Sequence, residues 1–72
     1  MTRKFTVTYR YEQSWRNFCQ DMSLDDTPKG IREYILYVLQ HTKCIRVVVY
    51  DYQGGSCKCI AIGSKSIDIE FY

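Results

Sequence analysis

Residues Lys4 to Tyr11 alternate without a break, with Phe5, Val7, Tyr9 and Tyr11 on one side and Lys4, Thr6, Thr8 and Arg10 on the other. Successive side chains of a strand point to opposite faces, so this period of two demands a strand with one buried and one wet face. A second run narrows the choice further. Cys44 to Tyr52 is dominated by β-branched and aromatic residues and leads into Gln53-Gly54-Gly55-Ser56, where two glycines allow a tight turn with φ above zero. Cys57 to Gly63 then reads as the return strand. With Gly54-Gly55 as the turn, Val49 pairs with Ile60, Val47 with Ile62, and Asp51 with Lys58 as an opposite-charge pair. Another turn near Ser64-Lys65 sets Ile62 opposite Ile67 and Ile60 opposite Ile69, carrying the apolar face on to Phe71.

Two segments have helical spacing. Between Ser14 and Met22, Trp15, Phe18, Cys19 and Met22 fall at i, i+3, i+4 and i+7 behind Ser14 as N-cap, which predicts a short amphipathic helix. Ser23-Leu24-Asp25-Asp26 breaks it. Thr27-Pro28 then supplies an N-cap followed by proline at the first helical position, where its missing N–H costs nothing. From Pro28 to about His41, Ile31, Tyr34, Ile35, Val38 and Leu39 form one apolar stripe, the main helix. Its other face carries Lys29, Glu33 and Gln40 but also Leu36 and Tyr37, an excess that the shorter helix is expected to cover.

The predicted fold is therefore α+β: a two-layer sandwich of order β-α-α-β-β-β, with a mostly antiparallel sheet and the helices on one face. Phe5, Val7, Tyr9, Ile45, Val47, Val49, Ile60, Ile62, Ile67, Ile69 and Phe71 form the expected core side of that sheet. A right-handed crossover places the first strand parallel to the Cys44 strand, and a position beside the C-terminal strand is the alternative. At 72 residues the chain is expected to form a single small domain that buries only about 60% of its unfolded surface, so a partner, metal or disulfide would add to a thin stability margin.

The 46% hydrophobic and 25% charged content is that of a globular domain rather than a disordered one. The net charge of +2 is small and scattered, so charge alone marks neither a nucleic-acid binder nor its mimic. No secretory leader or membrane span is read from the sequence, and a cytoplasmic protein with reduced thiols is expected. His41, Cys44, Cys57 and Cys59 match a zinc donor set by type. In the hairpin register, however, Cys44 and Cys57 lie at opposite ends, eight residues or roughly 26 Å apart. Cys57 and Cys59 stand i, i+2 on one face at the limit for a disulfide. No nucleophile elbow, phosphate loop or placed acid–base pair is present, so the expectation is a non-enzymatic protein without cofactors.

The informative surface is the sheet face away from the helices, which presents Arg46, Val48, Tyr50 and Tyr52 beside Cys57, Cys59 and Ala61. Lys4, Thr6, Thr8 and Arg10 continue it on one side, and Asp68, Glu70 and Tyr72 on the other. A contiguous apolar cluster of Val48, Tyr50, Tyr52, Cys57 and Cys59 marks a contact surface. Two functions use it. The first is a protein-binding module of the inhibitor or adaptor kind, with Arg10, Arg46, Val48, Tyr50, Tyr52, Cys57 and Cys59 as its binding residues, since tyrosine and arginine concentrate at interface centres. The second is single-stranded nucleic-acid binding, with Tyr50 and Tyr52 stacking on bases and Lys4, Arg10 and Arg46 meeting phosphates. Homodimerisation through a sheet face or an edge strand is the third possibility. By size and class alone, such a chain fits the small inhibitors that phages and mobile elements make, anti-CRISPR proteins included.

Overall fold

The computed structural model describes residues 1–12, 16–52, 55–65 and 68–72. Five strands and one helix follow in the order β1 (Thr2–Tyr11), β2 (Asn17–Asp25), α1 (Pro28–His41), β3 (Cys44–Asp51), β4 (Lys58–Ser64) and β5 (Glu70–Phe71). The class is α+β, with all neighbouring strands antiparallel and a sheet order of β2-β1-β3-β4-β5.

The expected order β-α-α-β-β-β is corrected to β-β-α-β-β-β. Residues of the predicted Ser14–Met22 helix from Asn17 onward are a strand instead, while Ser14 and Trp15 lie outside the described residues. In the observed register Phe5 faces Met22 and Tyr9 faces Phe18. Leu24, read from sequence as part of a break, is buried in the core. Tertiary pairing with β1 outweighs the local helical spacing.

This hairpin also fixes the direction of β1. The chain turns back along β2, crosses through α1 and returns as β3, so β1 lies between β2 and β3 and runs antiparallel to both. Neither placement expected for the first strand, parallel to the Cys44 strand or beside the last one, is the one observed.

The main helix is bounded as the sequence indicated. Thr27 is its N-cap, with the Gly30 N–H donating to Thr27 Oγ1 at 3.0 Å and Pro28 entering the first turn. Ile31, Ile35 and Val38 are its buried face. They meet Phe5, Val7, Tyr9, Cys44, Val47, Val49 and Ala61 on the sheet, with Ile60 and Ile69 packed at the margin.

Two irregularities separate the observed register from the expected one. Near the turn, Asp51 pairs with Lys58 and Tyr50 with Cys59, as the glycine turn implies. Between Val49 and Tyr50 a bulge leaves Ile60 over, and beyond it Val49 faces Ala61, Val48 faces Ile62 and Val47 faces Gly63. Ala61 thus points into the core, where it is fully buried, and Ile62 turns to the other face, the reverse of the assignment from sequence. The second bulge falls between Arg10 and Tyr11, leaving Ile45 unmatched. In β5, Phe71 pairs with Ala61 and Glu70 with Ile62, replacing the expected Ile60–Ile69 pair; Phe71 is exposed. The expected partner Ile67 and the turn residues Gln53, Gly54 and Ser66 lie outside the described residues. Gly55 adopts φ +79°, the left-handed region that the turn reading assigned to glycine. Among the described residues, no helix is long and apolar enough to cross a membrane.

Candidate functional site: the uncovered sheet face

With the one described helix on one side, the alternation of each strand leaves the opposite face of the sheet to solvent, and the register arranges it in rows. One row runs Asn17, Arg10, Arg46, Ser64 across β2, β1, β3 and β4. The next is Cys19, Thr8, Val48, Ile62, Glu70. A third is Asp21, Thr6, Tyr50, Cys59. Lys4 lies beyond it, with its ammonium 3.9 Å from Asp21, a long contact between exposed groups that contributes little.

The seven expected binding residues differ in their exposure. Arg10, Arg46, Tyr52 and Cys57 are exposed, and Tyr50 and Cys59 are half-buried. Val48, expected in the exposed patch, is only 7% exposed. Ala61, also placed on this face from sequence, belongs to the core, and Ile62 takes its place beside Val48. The one-residue bulge makes this exchange, and the binding residues on β3 keep their face.

Tyr50 and Tyr52 stand with ring centroids 6.3 Å apart and planes tilted by 46°. The Tyr52 hydroxyl is held above its ordinary pKa, first by its hydrogen bond with Cys57 and then by the nearby thiols of Cys57 and Cys19. The Cys59 thiol is also raised, first by burial, although a long sulfur contact to the Ala61 carbonyl at 4.0 Å and the charge of Arg46 act the other way. A raised thiol is a poor nucleophile at neutral pH. Cys19, Cys44, Cys57 and Cys59 are all free, and Cys44 is fully buried with its thiol donating to the Arg46 carbonyl at 3.1 Å. Among the described residues no three His, Cys, Asp or Glu side chains are grouped to hold a metal.

A shallow groove crosses this face at the β5 end, lined by Arg10, Ile45, Arg46, Ile62, Lys65, Asp68, Glu70 and Tyr72. Here the Tyr72 hydroxyl donates to Glu70 at 2.8 Å, the first cause of its raised pKa.

On the helix side, where the second helix was expected, there is instead a tyrosine-lined groove between β2 and the C-terminal half of α1. Tyr9, Tyr11, Phe18, Met22, Tyr34, Tyr37 and Val38 line it. Phe18 is 50% exposed and packs edge-on against Tyr11 at 5.4 Å. At its base the hydroxyls of Tyr9 and Tyr34 hydrogen-bond each other and lie 3.1 and 2.7 Å from the Met22 sulfur, which accepts the one proton that their mutual bond leaves over. The signal for this groove was the excess width of the helix stripe at Tyr37, which was expected to lie under a covering helix; Leu36, the other residue of that excess, lines a separate groove with Leu39 and Ile69.

Comparison with protein-family models, with curated proteins and with solved structures found no match to this chain.

Proposed function

We propose that the protein is a non-enzymatic protein-binding module, inhibitor or adaptor in kind, that grips its partner with the uncovered face of the sheet. The observation that carries this reading is the tilted Tyr50–Tyr52 pair on a face shared with the Arg10–Arg46 row. Tyrosine and arginine supply large contact area with few rotatable bonds and with polar tips, and they dominate interface hot spots. The mixed charges around them, Lys4, Asp21, Asp68 and Glu70, suit a polar rim.

Single-stranded nucleic acid is the competing occupant, because the same tyrosines offer stacking surfaces and the same arginines meet phosphates. Asp21 and Glu70 in the adjoining rows weigh against it.

The test is capture from nuclease-treated lysate of the source organism, followed by affinity measurement on the identified partner. A stoichiometric protein that survives nuclease is expected. Tyr50→Ala or Tyr52→Ala should weaken it by about 2 kcal/mol or more with weak salt dependence, while Leu36→Ala on the helix leaves it unchanged. Capture that vanishes with nuclease, or affinity that falls steeply with salt, would transfer the assignment to nucleic acid. Indifference to both tyrosine variants would sink the sheet-face reading.

A further inference from the structure

Arg10 and Arg46 are direct cross-strand partners on β1 and β3, both exposed on the uncovered face. Opposed residues of an antiparallel pair have Cα atoms about 4.5–5.5 Å apart, and like charges so placed repel. Two cations near the other end of β1 do have acidic neighbours: Arg3 contacts Asp51 at 3.0 Å and Asp26 at 3.4 Å, and Lys4 approaches Asp21. Among the described residues no carboxylate lies within ion-pair distance of Arg10 or Arg46. Asp68 and Glu70 line the same groove without coming within ion-pair distance of either arginine, and Glu70 accepts from the Tyr72 hydroxyl. Asn17 and Ser64 are the cross-strand neighbours on either side, so no acid stands in register beside the pair.

We infer that Arg10 and Arg46 form a two-guanidinium clamp for a single Asp or Glu carboxylate presented by the protein partner, an inference that rests on the protein-binding reading of this face. The planar forks of two arginines match the oxygens of one carboxylate, which relieves their mutual repulsion on binding. The occupant is one acidic side chain rather than a phosphate backbone because, of the three rows that cross this face, only the Arg10–Arg46 row carries positive charge. The next row is neutral or acidic, Cys19, Thr8, Val48, Ile62 and Glu70, and the row beyond carries Asp21. A polynucleotide needs cations that track successive phosphates, and these rows oppose that track.

The experiment follows the Arg Nε–Hε resonances of the labelled full chain by NMR at constant ionic strength. The probes are acetyl-glutamate amide, acetyl-glutamine amide and oligothymidylate. The expected result is that the glutamate probe shifts Arg10 and Arg46 together on one saturating curve, while the glutamine probe shifts neither. Arg46→Gln should weaken the response at Arg10 by about fivefold or more. The same variant should melt no lower than the parent at low salt, because it removes a repulsion. The clamp is overturned if Arg10 and Arg46 respond no more than exposed Arg32, or if Arg46→Gln leaves the Arg10 curve unchanged. It is also overturned if oligothymidylate saturates the pair more tightly than the carboxylate. Loss of the clamp with the Tyr50 and Tyr52 effects intact would leave the protein-binding reading standing; loss of the tyrosine effects would remove that reading itself.

Discussion

Gly63 lies so close beneath Ile35 that a Cβ built on it would overlap the Ile35 Cγ2 methyl group. Ile35 is fully buried, so that methyl group has no solvent into which to move. The bulge that brings Gly63 and Ala61 under the helix thus places the two smallest side chains of β4 where α1 comes closest. Gly63→Ala is expected to destabilise the fold by about 1–3 kcal/mol through overpacking. Ile35→Ala alone should cost about 2–5 kcal/mol by leaving a cavity. Combined with Gly63→Ala, the loss should be less than the sum, because the added methyl fills part of the space vacated. Urea unfolding of the four proteins checks this, and strict additivity would show that the two residues do not share that space.

That contact also marks how far the sequence could be read. The strand at Lys4–Tyr11, the helix with its Thr27-Pro28 start and the Asp51–Lys58 end of the hairpin all follow from chemistry within a few residues. The bulge at Ile60 does not, because its cause is the approach of a helix more than twenty residues away. A regular hairpin with Ile60 and Ile62 inward looks better in sequence than one with Ala61 and Gly63 inward. β2 failed for a different reason: Phe18 and Met22 satisfy a helical spacing and also a strand period in which Gln20 is the polar exception. Misreading β2 left the direction of β1 undetermined. The placement of Arg10, Arg46 and Tyr50 on one face was therefore legible from alternation, whereas the opposition of Arg10 to Arg46 was not.

The Thr27 cap is a local device with a separable contribution. Its hydroxyl oxygen accepts from the Gly30 N–H at 3.0 Å and donates to Asp25 at 3.2 Å, tying the end of β2 to the start of α1. Thr27→Ala should cost about 1 kcal/mol. For a chain of this size that lowers the melting temperature by about 4–8 °C. Thr27→Ser keeps the acceptor and should melt near the parent, so equal losses in both variants would assign the effect to the methyl group.

Arg3 serves two carboxylates unequally. Its Nη2 lies 3.0 Å from Asp51, whose side chain is 15% exposed, and its Nε lies 3.4 Å from Asp26, which is 40% exposed. The guanidinium also sits over the Phe5 ring at 4.8 Å. Screening weakens the more exposed pair, so Asp51→Asn should destabilise by about 1 kcal/mol and Asp26→Asn by a few tenths. The difference should shrink in high salt. A larger loss for Asp26→Asn in chemical denaturation would reverse this ranking.

Alkaline stability should report on the hydroxyl cluster beneath the helix-side groove. Burial, reinforced by the hydrogen bond with Tyr34, pushes the Tyr9 hydroxyl far above its ordinary value, and burial raises Tyr34 as well. Below about pH 10 both folded and unfolded chains keep these protons. Above it the unfolded chain releases them while the folded chain retains them, so the unfolded state binds fewer protons and stability falls as pH rises. The contribution is fully present below the unfolded value and is lost on the way up to the folded one. Urea midpoints should therefore be insensitive to these groups up to about pH 9 and should decline beyond about pH 10. Tyr9→Phe cannot ionise, so its decline should be shallower even though it loses a hydrogen bond and starts lower. The exposed Tyr52 and Tyr72, raised by their bonds to Cys57 and Glu70, remain in both proteins, and the difference in slope isolates Tyr9. Equal slopes would mean that the Tyr9 hydroxyl ionises as readily in the folded chain as in the unfolded one, and that the hydrogen-bonded cluster with Tyr34 and Met22 opens before the fold does.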